Sequence, residues 1–210
     1  MIKAVLFDVD GVLVDAFDAN LKFFQDILVK AGYPLPAKEQ FPKNFHLTMF
    51  DTIKMLTKST SEEEVQRMWE IGNTREVPYR IDLMKIPQNR NAAIRTLSKM
   101  YRLGIVTSRI RNGVFDFPEA AKIQKYFSTA IAYEDTSNHK PNPEPLLLAA
   151  KQMNVAPNDV VYIGDVDDDI QAARAAGMKV IIYSKTPFDT PDGYTSSFKA
   201  LPKLIKSLHG

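Results

Sequence analysis

Asp8 and Asp10 stand one residue apart, directly after the apolar run Ala4-Val5-Leu6-Phe7. Two carboxylates at the tip of a buried strand repel and resist joint ionisation, so the pair needs a bound cation or a function that uses the strain. Polar residues also close later apolar runs. Thr107-Ser108-Arg109 ends one; Glu134-Asp135 ends another, with Lys140 soon after; Gly164-Asp165 ends a third and leads into Asp167, Asp168 and Asp169. Hard carboxylate oxygens suit Mg²⁺, while hydroxyl and ammonium donors suit phosphate oxygens. The set outlines a metal and phosphate site.

The elements that must position these residues are legible as short apolar runs at 3–7, 104–107, 129–133, 160–163 and 179–183. Several are rich in Val and Ile without period-two alternation, as expected of strands covered on both faces. Helical patterns lie between them. Ile94, Leu97, Met100 and Tyr101 share a face, and an apolar segment over 146–153 follows the proline-rich 140–145. Ala172, Ala173, Ala175 and Ala176 precede Gly177, a C-terminal cap. Alternating strands and helices predict an α/β fold: a Rossmann-like three-layer α/β/α core around a mainly parallel sheet. Ligands gather beyond the carboxyl ends of such strands, which places the polar residues above on one edge.

One connection breaks the rhythm. Between the first two strands, Leu21, Phe24, Leu28 and Ala31 make a helical stripe, and Phe50, Ile53 and Leu56 make a second. A third opens on Ser61-Glu62-Glu63-Glu64, a capping-box pattern, and carries Val65, Met68 and Trp69. Residues 16–82 are therefore expected to form an inserted helical cap subdomain, with the core built from 1–15 and 83–210.

Bulk properties exclude several classes. In 210 residues, 27 basic side chains face 25 acidic ones, a formal charge of +2 that gives no reason to expect a nucleic-acid partner or a membrane surface. Cysteine is absent, which removes disulfides, thiolate nucleophiles and thiolate-bound zinc. Asp8 interrupts the first apolar stretch too early for a signal-peptide core or a membrane span. The expectation is a cytoplasmic protein, monomer or homodimer.

In this order, the residues resemble the haloacid dehalogenase superfamily, in the branch of phosphatases with a helical cap after the first strand. Asp8-Val9-Asp10-Gly11-Val12 matches the first motif, with valine where threonine is commoner. Thr107 after Gly104-Ile105-Val106 matches the second, Lys140 before Pro141-Asn142-Pro143 the third, and Gly164-Asp165 with Asp169 the acidic fourth. The resemblance implies that Asp8 attacks phosphorus and that Asp10 serves as general acid and then base. Mg²⁺ would be held by Asp8, Asp10 (through its backbone carbonyl) and Asp165. Thr107, Ser108 and Lys140 would bind phosphate, and Asp169 would act from behind, orienting Lys140 or a metal-bound water.

The substrate implied is a small phosphorylated metabolite, in the manner of phosphoglycolate phosphatases. A sugar phosphomutase would share every core residue, and a non-catalytic phosphate-binding module could use the same scaffold. A dehalogenase has less need of Asp10, because its leaving group requires no proton. Asp15 reads as a helix cap, and Asp167 and Asp168 as solvated. Arg109 and Arg111 replace the superfamily's frequent asparagine; solvent exposure is the expectation, a phosphate or carboxylate contact the alternative. Within the cap, the polar candidates for substrate contact are Lys43, His46 and Lys54.

Overall fold

The computed structural model describes residues 1–41, 47–186, 188 and 190–208. The strands are β1 (Ala4–Phe7), β2 (Arg102–Val106), β3 (Phe127–Ile131), β4 (Val160–Gly164), β5 (Lys179–Tyr183) and β6 (Gly193–Thr195). They form a single sheet in the order β3-β2-β1-β4-β5-β6. Every pairing is parallel. The expected α/β architecture is present. Strand β6 is an addition that the sequence did not announce: three residues at the sheet edge, with only Tyr194 offering a strand-forming aromatic.

Burial explains the unbroken apolar runs. Val5, Phe7, Leu103, Ile105, Val161 and Ile163 point to one face, where they meet Ile94 and Leu97 of α4 (Arg90–Leu97), Ile123 of α5 (Ala120–Ile123) and Ile205 of α8 (Leu201–Ser207). Ala4, Leu6, Val106, Val160 and Tyr162 point to the other, against α6 (Glu144–Gln152) and α7 (Asp167–Ala175). Strands with helices on both sides bury both rows of side chains, which removes any period-two signal. Helix α7 ends as expected, with Gly177 at φ +72° just past its cap. The stripe through Ile94 stops sooner than its spacing suggests: α4 ends at Leu97, and Met100 is 52% exposed.

Between β1 and β2 lie α1 (Phe17–Lys30), α2 (Met49–Thr57) and α3 (Glu62–Asn73). They pack around an apolar cluster of their own, with Phe24, Ile27, Leu28, Ile53, Val65, Met68 and Ile71 at its centre. Ser61 caps α3 by accepting from the Glu64 amide at 3.3 Å. The capping box is only half formed, because the Glu64 carboxylate instead accepts from Ser59 Oγ and Tyr33 OH. The chain leaves and re-enters the sheet at one point: Asp15 and Lys85 exchange two backbone hydrogen bonds of 2.9 Å.

Arg90 fixes the loop that carries the acid pair. It is 1% exposed and lies over the Phe117 ring. Its guanidinium donates to Leu13 O (2.9 Å), Pro118 O (3.0 Å) and Asn91 Oδ1 (3.0 Å). Burial lowers its pKa, yet neutral carbonyls supply most of its partners. Arg90→Met should destabilise the protein by about 2–3 kcal/mol, because the buried Leu13 carbonyl and the half-buried Pro118 carbonyl lose their donor. Urea unfolding measures this; a loss below about 0.5 kcal/mol, the level of an ordinary surface change, would show that these bonds do not hold the loop.

Candidate active site

Register brings the polar strand ends together. Phe7 pairs with Ile105 on one side and with Ile163 on the other, so Asp8, Thr107 and Asp165 all fall just beyond that row, at the carboxyl edge of the central strands. Two glycines make the approach possible. A Cβ on Gly11 would lie 2.0 Å from Asp165 Oδ2, and one on Gly164 would lie 2.3 Å from Asp169 Cγ. Gly11 also has φ +74°, which side-chain-bearing residues rarely adopt. These positions must be bare for the carboxylates to sit where they do.

At the centre is Lys140, whose side chain is 5% exposed. Its ammonium donates to Asp8 Oδ2 (2.6 Å), Asp169 Oδ1 (2.7 Å) and Tyr162 OH (2.9 Å). Burial works against its charge, but Asp169 and Asp8 outweigh that and hold its pKa well above the usual lysine value. Asp169 is completely buried. Besides Lys140, its oxygens accept from Tyr162 OH and from the backbone amides of Asp165 and Val166. Asp169 thus holds the Lys140 ammonium through a hydrogen bond while its other oxygen is tied to the backbone after β4. Asp167 and Asp168 lie in the first turn of α7, and Asp167 is exposed.

Tyr162 was not anticipated. Its signal was present, since a hydroxyl in the middle of an otherwise apolar, doubly covered strand must find a partner.

Asp8, Asp165 and Asp169 offer oxygens that all lie within 4.8 Å of one another. Asp169 already has a donor for each lone pair, four in all, so Asp8 and Asp165 are the carboxylates left for a cation. Burial, then the charges of Asp169 and Asp8, push the pKa of Asp165 well above the carboxylate range. For Asp8, burial raises the pKa, Lys140 lowers it and Asp169 raises it again, leaving it at about 6. Buried carboxylates that resist ionisation, with one lysine between them, are the donor set a hard divalent cation would complete.

Asp10 points elsewhere. Its two oxygens accept from Arg109, Nε to Oδ2 at 2.8 Å and Nη2 to Oδ1 at 2.7 Å. The side chain of Arg109 is 8% exposed, which corrects the expectation that it faces solvent. Burial opposes its charge, but Asp10 more than compensates and raises its pKa. Arg111 is half exposed and holds the neighbouring loop through Ala130 O and the Asp135 carboxylate. Asp15 accepts from the Phe17 amide at 3.3 Å, at the start of α1.

A cleft of about 710 Å³, counting its open mouth, lies between the sheet edge and the helical insertion. Asp10, Ser108 and Arg109 line it from the sheet side, and Phe23, Phe24 and Tyr79 from the insertion. Thr107 is buried, and its hydroxyl accepts from the Arg109 amide at 3.3 Å. Lys54 packs over the Phe50 ring and is not among the lining residues. Lys43 and His46 fall outside the described residues. Among the described residues, the insertion meets the cleft mostly with apolar and aromatic side chains, together with Asn20 and with Arg75, which is paired with Asp116.

Residues 5–183 match the sequence profile of haloacid dehalogenase-like hydrolases. The chain belongs to this family. A Clostridium perfringens protein named as a candidate pyrophosphatase, PpaX, is 30% identical over the full length of both chains. The phosphoglycolate phosphatase of Escherichia coli K12 is 48% identical over 75 residues, covering 36% of this chain and 30% of that enzyme. Among solved structures, a candidate haloacid dehalogenase-like hydrolase from Bacteroides fragilis superposes with a TM-score of 0.85 at 24% identity, covering 96% of this chain and 100% of that one. As a member of this hydrolase family, the protein is an enzyme. Among its described residues, no helix is long and apolar enough to cross a membrane.

The raised pKa of Asp8 has a consequence for stability. Between the usual aspartate value of 3.8 and about 6, the folded protein binds a proton that the unfolded chain releases. Stability from this group is therefore present below about pH 4 and is lost as pH rises through about 6. In the presence of chelator, the stability of Asp8→Asn relative to the parent should rise by on the order of 3 kcal/mol between pH 4 and pH 7.5, on top of a pH-independent cost from removing one partner of Lys140. Thermal melts across that range measure it; a difference independent of pH would refute the assignment.

Proposed function

We propose that the protein is a Mg²⁺-dependent phosphatase that hydrolyses a small phosphomonoester through an aspartyl-phosphate on Asp8. The observation that carries this reading is the Lys140 ammonium, 2.6 Å from Asp8 and 2.7 Å from Asp169. It neutralises a buried carboxylate without burying that carboxylate's reactivity, because Asp8 keeps lone pairs for an electrophile. Phosphate binding alone needs no such nucleophile. The full-length likeness to a PpaX-type protein and the local identity with a phosphoglycolate phosphatase support phosphorylated substrates.

Bound Mg²⁺ would be held by Asp8, Asp165 and the Asp10 carbonyl, and would neutralise charge on the phosphoryl group. An Asp8 oxygen forms a bond to phosphorus while the ester P–O bond breaks, and Asp10 passes its proton to the departing oxygen. Asp10, now a carboxylate, takes a proton from water as the water oxygen attacks phosphorus. The Asp8–phosphorus bond then breaks and inorganic phosphate leaves. Thr107 and Ser108 hold the non-bridging oxygens, and the Lys140 ammonium, whose three N–H groups meet Asp8, Asp169 and Tyr162, offsets their charge from beside Asp8. We further propose that residues 16–82 act as a cap, covering the cleft and limiting the entry of water during transfer.

Turnover of p-nitrophenyl phosphate should require Mg²⁺, stop with chelator and return on Mg²⁺ addition. Asp8→Asn should lower kcat by at least about 10⁴-fold, in line with loss of a covalent nucleophile. A base-labile phosphoryl label should form on the parent and not on Asp8→Asn. Residual turnover of Asp8→Asn within tenfold of the parent would exclude Asp8 as the nucleophile. A panel of phosphoglycolate, sugar phosphates, nucleotides and pyrophosphate then ranks substrates by kcat/KM.

A further inference from the structure

The surroundings of Asp10 form a closed ring of hydrogen bonds that joins the sheet edge to the insertion. Arg109 Nη2 donates to Asp10 Oδ1 (2.7 Å) and to Tyr79 OH (3.2 Å). Tyr79 OH donates to Asn20 Oδ1, and Asn20 Nδ2 returns to Asp10 Oδ1 at 3.4 Å. Asn20 stands on α1 and Tyr79 lies where the chain comes back from the insertion, so both connections to the insertion touch the ring. The Arg109 guanidinium also lies over the Tyr79 ring, 5.5 Å from its centroid.

Counting donors decides what Arg109 does. A guanidinium has five N–H groups. Nε takes Asp10 Oδ2, Nη1 takes Gly113 O (2.9 Å) and Asp116 O (3.1 Å), and Nη2 takes Asp10 Oδ1 and Tyr79 OH. None remains for an anionic group of a substrate, although the residue lines the cleft. On Asp10, Oδ1 accepts two donors and Oδ2 one, so a single lone pair, on Oδ2, stays available for a proton in transit.

We propose that Arg109 is the positioning residue of the acid/base: with Tyr79 and Asn20 it fixes the Asp10 carboxylate so that proton transfer runs through Oδ2, in a ring that closes only while the insertion is docked. The inference rests on the reading of Asp10 as general acid. It differs from a substrate-binding role, which would act on KM, and from a purely architectural one, which would affect all substrates alike.

Leaving-group dependence separates these. Breaking an ester of p-nitrophenol needs little protonation of the leaving oxygen, whereas an alkyl phosphomonoester needs it fully. Using the alkyl substrate best turned over in the panel above, Arg109→Gln should lower kcat/KM by about 100-fold or more, the scale of general acid catalysis. On p-nitrophenyl phosphate the loss in kcat/KM should stay within about fivefold, because this ratio covers steps up to departure of the leaving group and not hydrolysis of the aspartyl-phosphate, which Asp10 serves as base for both substrates alike. Arg109→Lys keeps the charge without the fork and should recover only part of the loss. Tyr79→Phe keeps the ring and removes the hydroxyl, so it should show the same selectivity in weaker form even if Arg109→Gln does not fold. Asp10→Asn combined with Arg109→Gln should be no slower than Asp10→Asn alone.

Equal losses of kcat/KM on both substrates would overturn the proposal, as would a Tyr79→Phe protein without leaving-group selectivity. If kcat/KM of Asp10→Asn itself shows no leaving-group dependence, the reading of Asp10 has failed, and the assignment of Arg109 falls for that separate reason.

Discussion

The enclosure of one ammonium by two carboxylates and a phenol is the constraint on which the rest of the site depends. Lys140 arrives on a loop, Asp8 from the end of β1, Asp169 from α7 and Tyr162 from β4. Breaking such a buried arrangement by removing one partner costs several kcal/mol, because the remaining charge keeps its desolvation penalty. The four elements are thereby locked in mutual position at the edge where chemistry occurs. The proposed catalytic geometry and the local stability of the sheet edge are the same set of bonds.

Asp169 shows how completely this is arranged. A fully buried carboxylate is tolerated because each lone pair has a donor, two of them backbone amides that follow β4. Those amides place Asp165, and Gly11 leaves the space that Asp165 fills. A residue that touches no substrate thus sets the position of the carboxylate we assign to the metal. Its location needs Gly164 to lack a side chain, so the Gly-Asp pair is one steric unit and not two independent residues.

Much of this was legible beforehand, and the failures are informative. The strand ends were readable because apolar runs that stop at Asp8, Thr107 and Asp165 mark the carboxyl edge of a parallel sheet, where buried side chains give way to polar ones. The three helices between β1 and β2 were readable because helical periodicity persists where a strand rhythm should continue. Arg109 was misjudged for a physical reason. Its burial comes from Tyr79, and its charge is matched by Asp10; these residues lie 30 and 99 positions away in sequence. No local pattern reports a pairing that tertiary enclosure creates. Strand β6 escaped because an edge strand of three residues with one exposed aromatic carries almost no periodicity. Tyr162 did carry a signal: a phenol in a doubly covered strand demands a partner, and Lys140 was the cation expected at that edge.

The two acids that open the chain end as different chemical objects because each has its own cation. Asp8 faces an ammonium, a compact charge that neutralises it while leaving lone pairs for an electrophile. Asp10 faces a guanidinium, whose planar fork fixes both oxygens in orientation. The first arrangement suits a nucleophile that must form a bond along whichever direction the phosphoryl group presents. The second suits a proton carrier, for which direction and timing matter more than charge. Lysine and arginine are therefore not interchangeable here. Exchanging them would give the proposed nucleophile a rigid partner that occupies its lone pairs, and would leave the proposed proton carrier free to turn. Asp8 directly follows β1 and the chain turns at Val9 before Asp10, so the two carboxylates meet different neighbours, and the fold supplies a different cation at each.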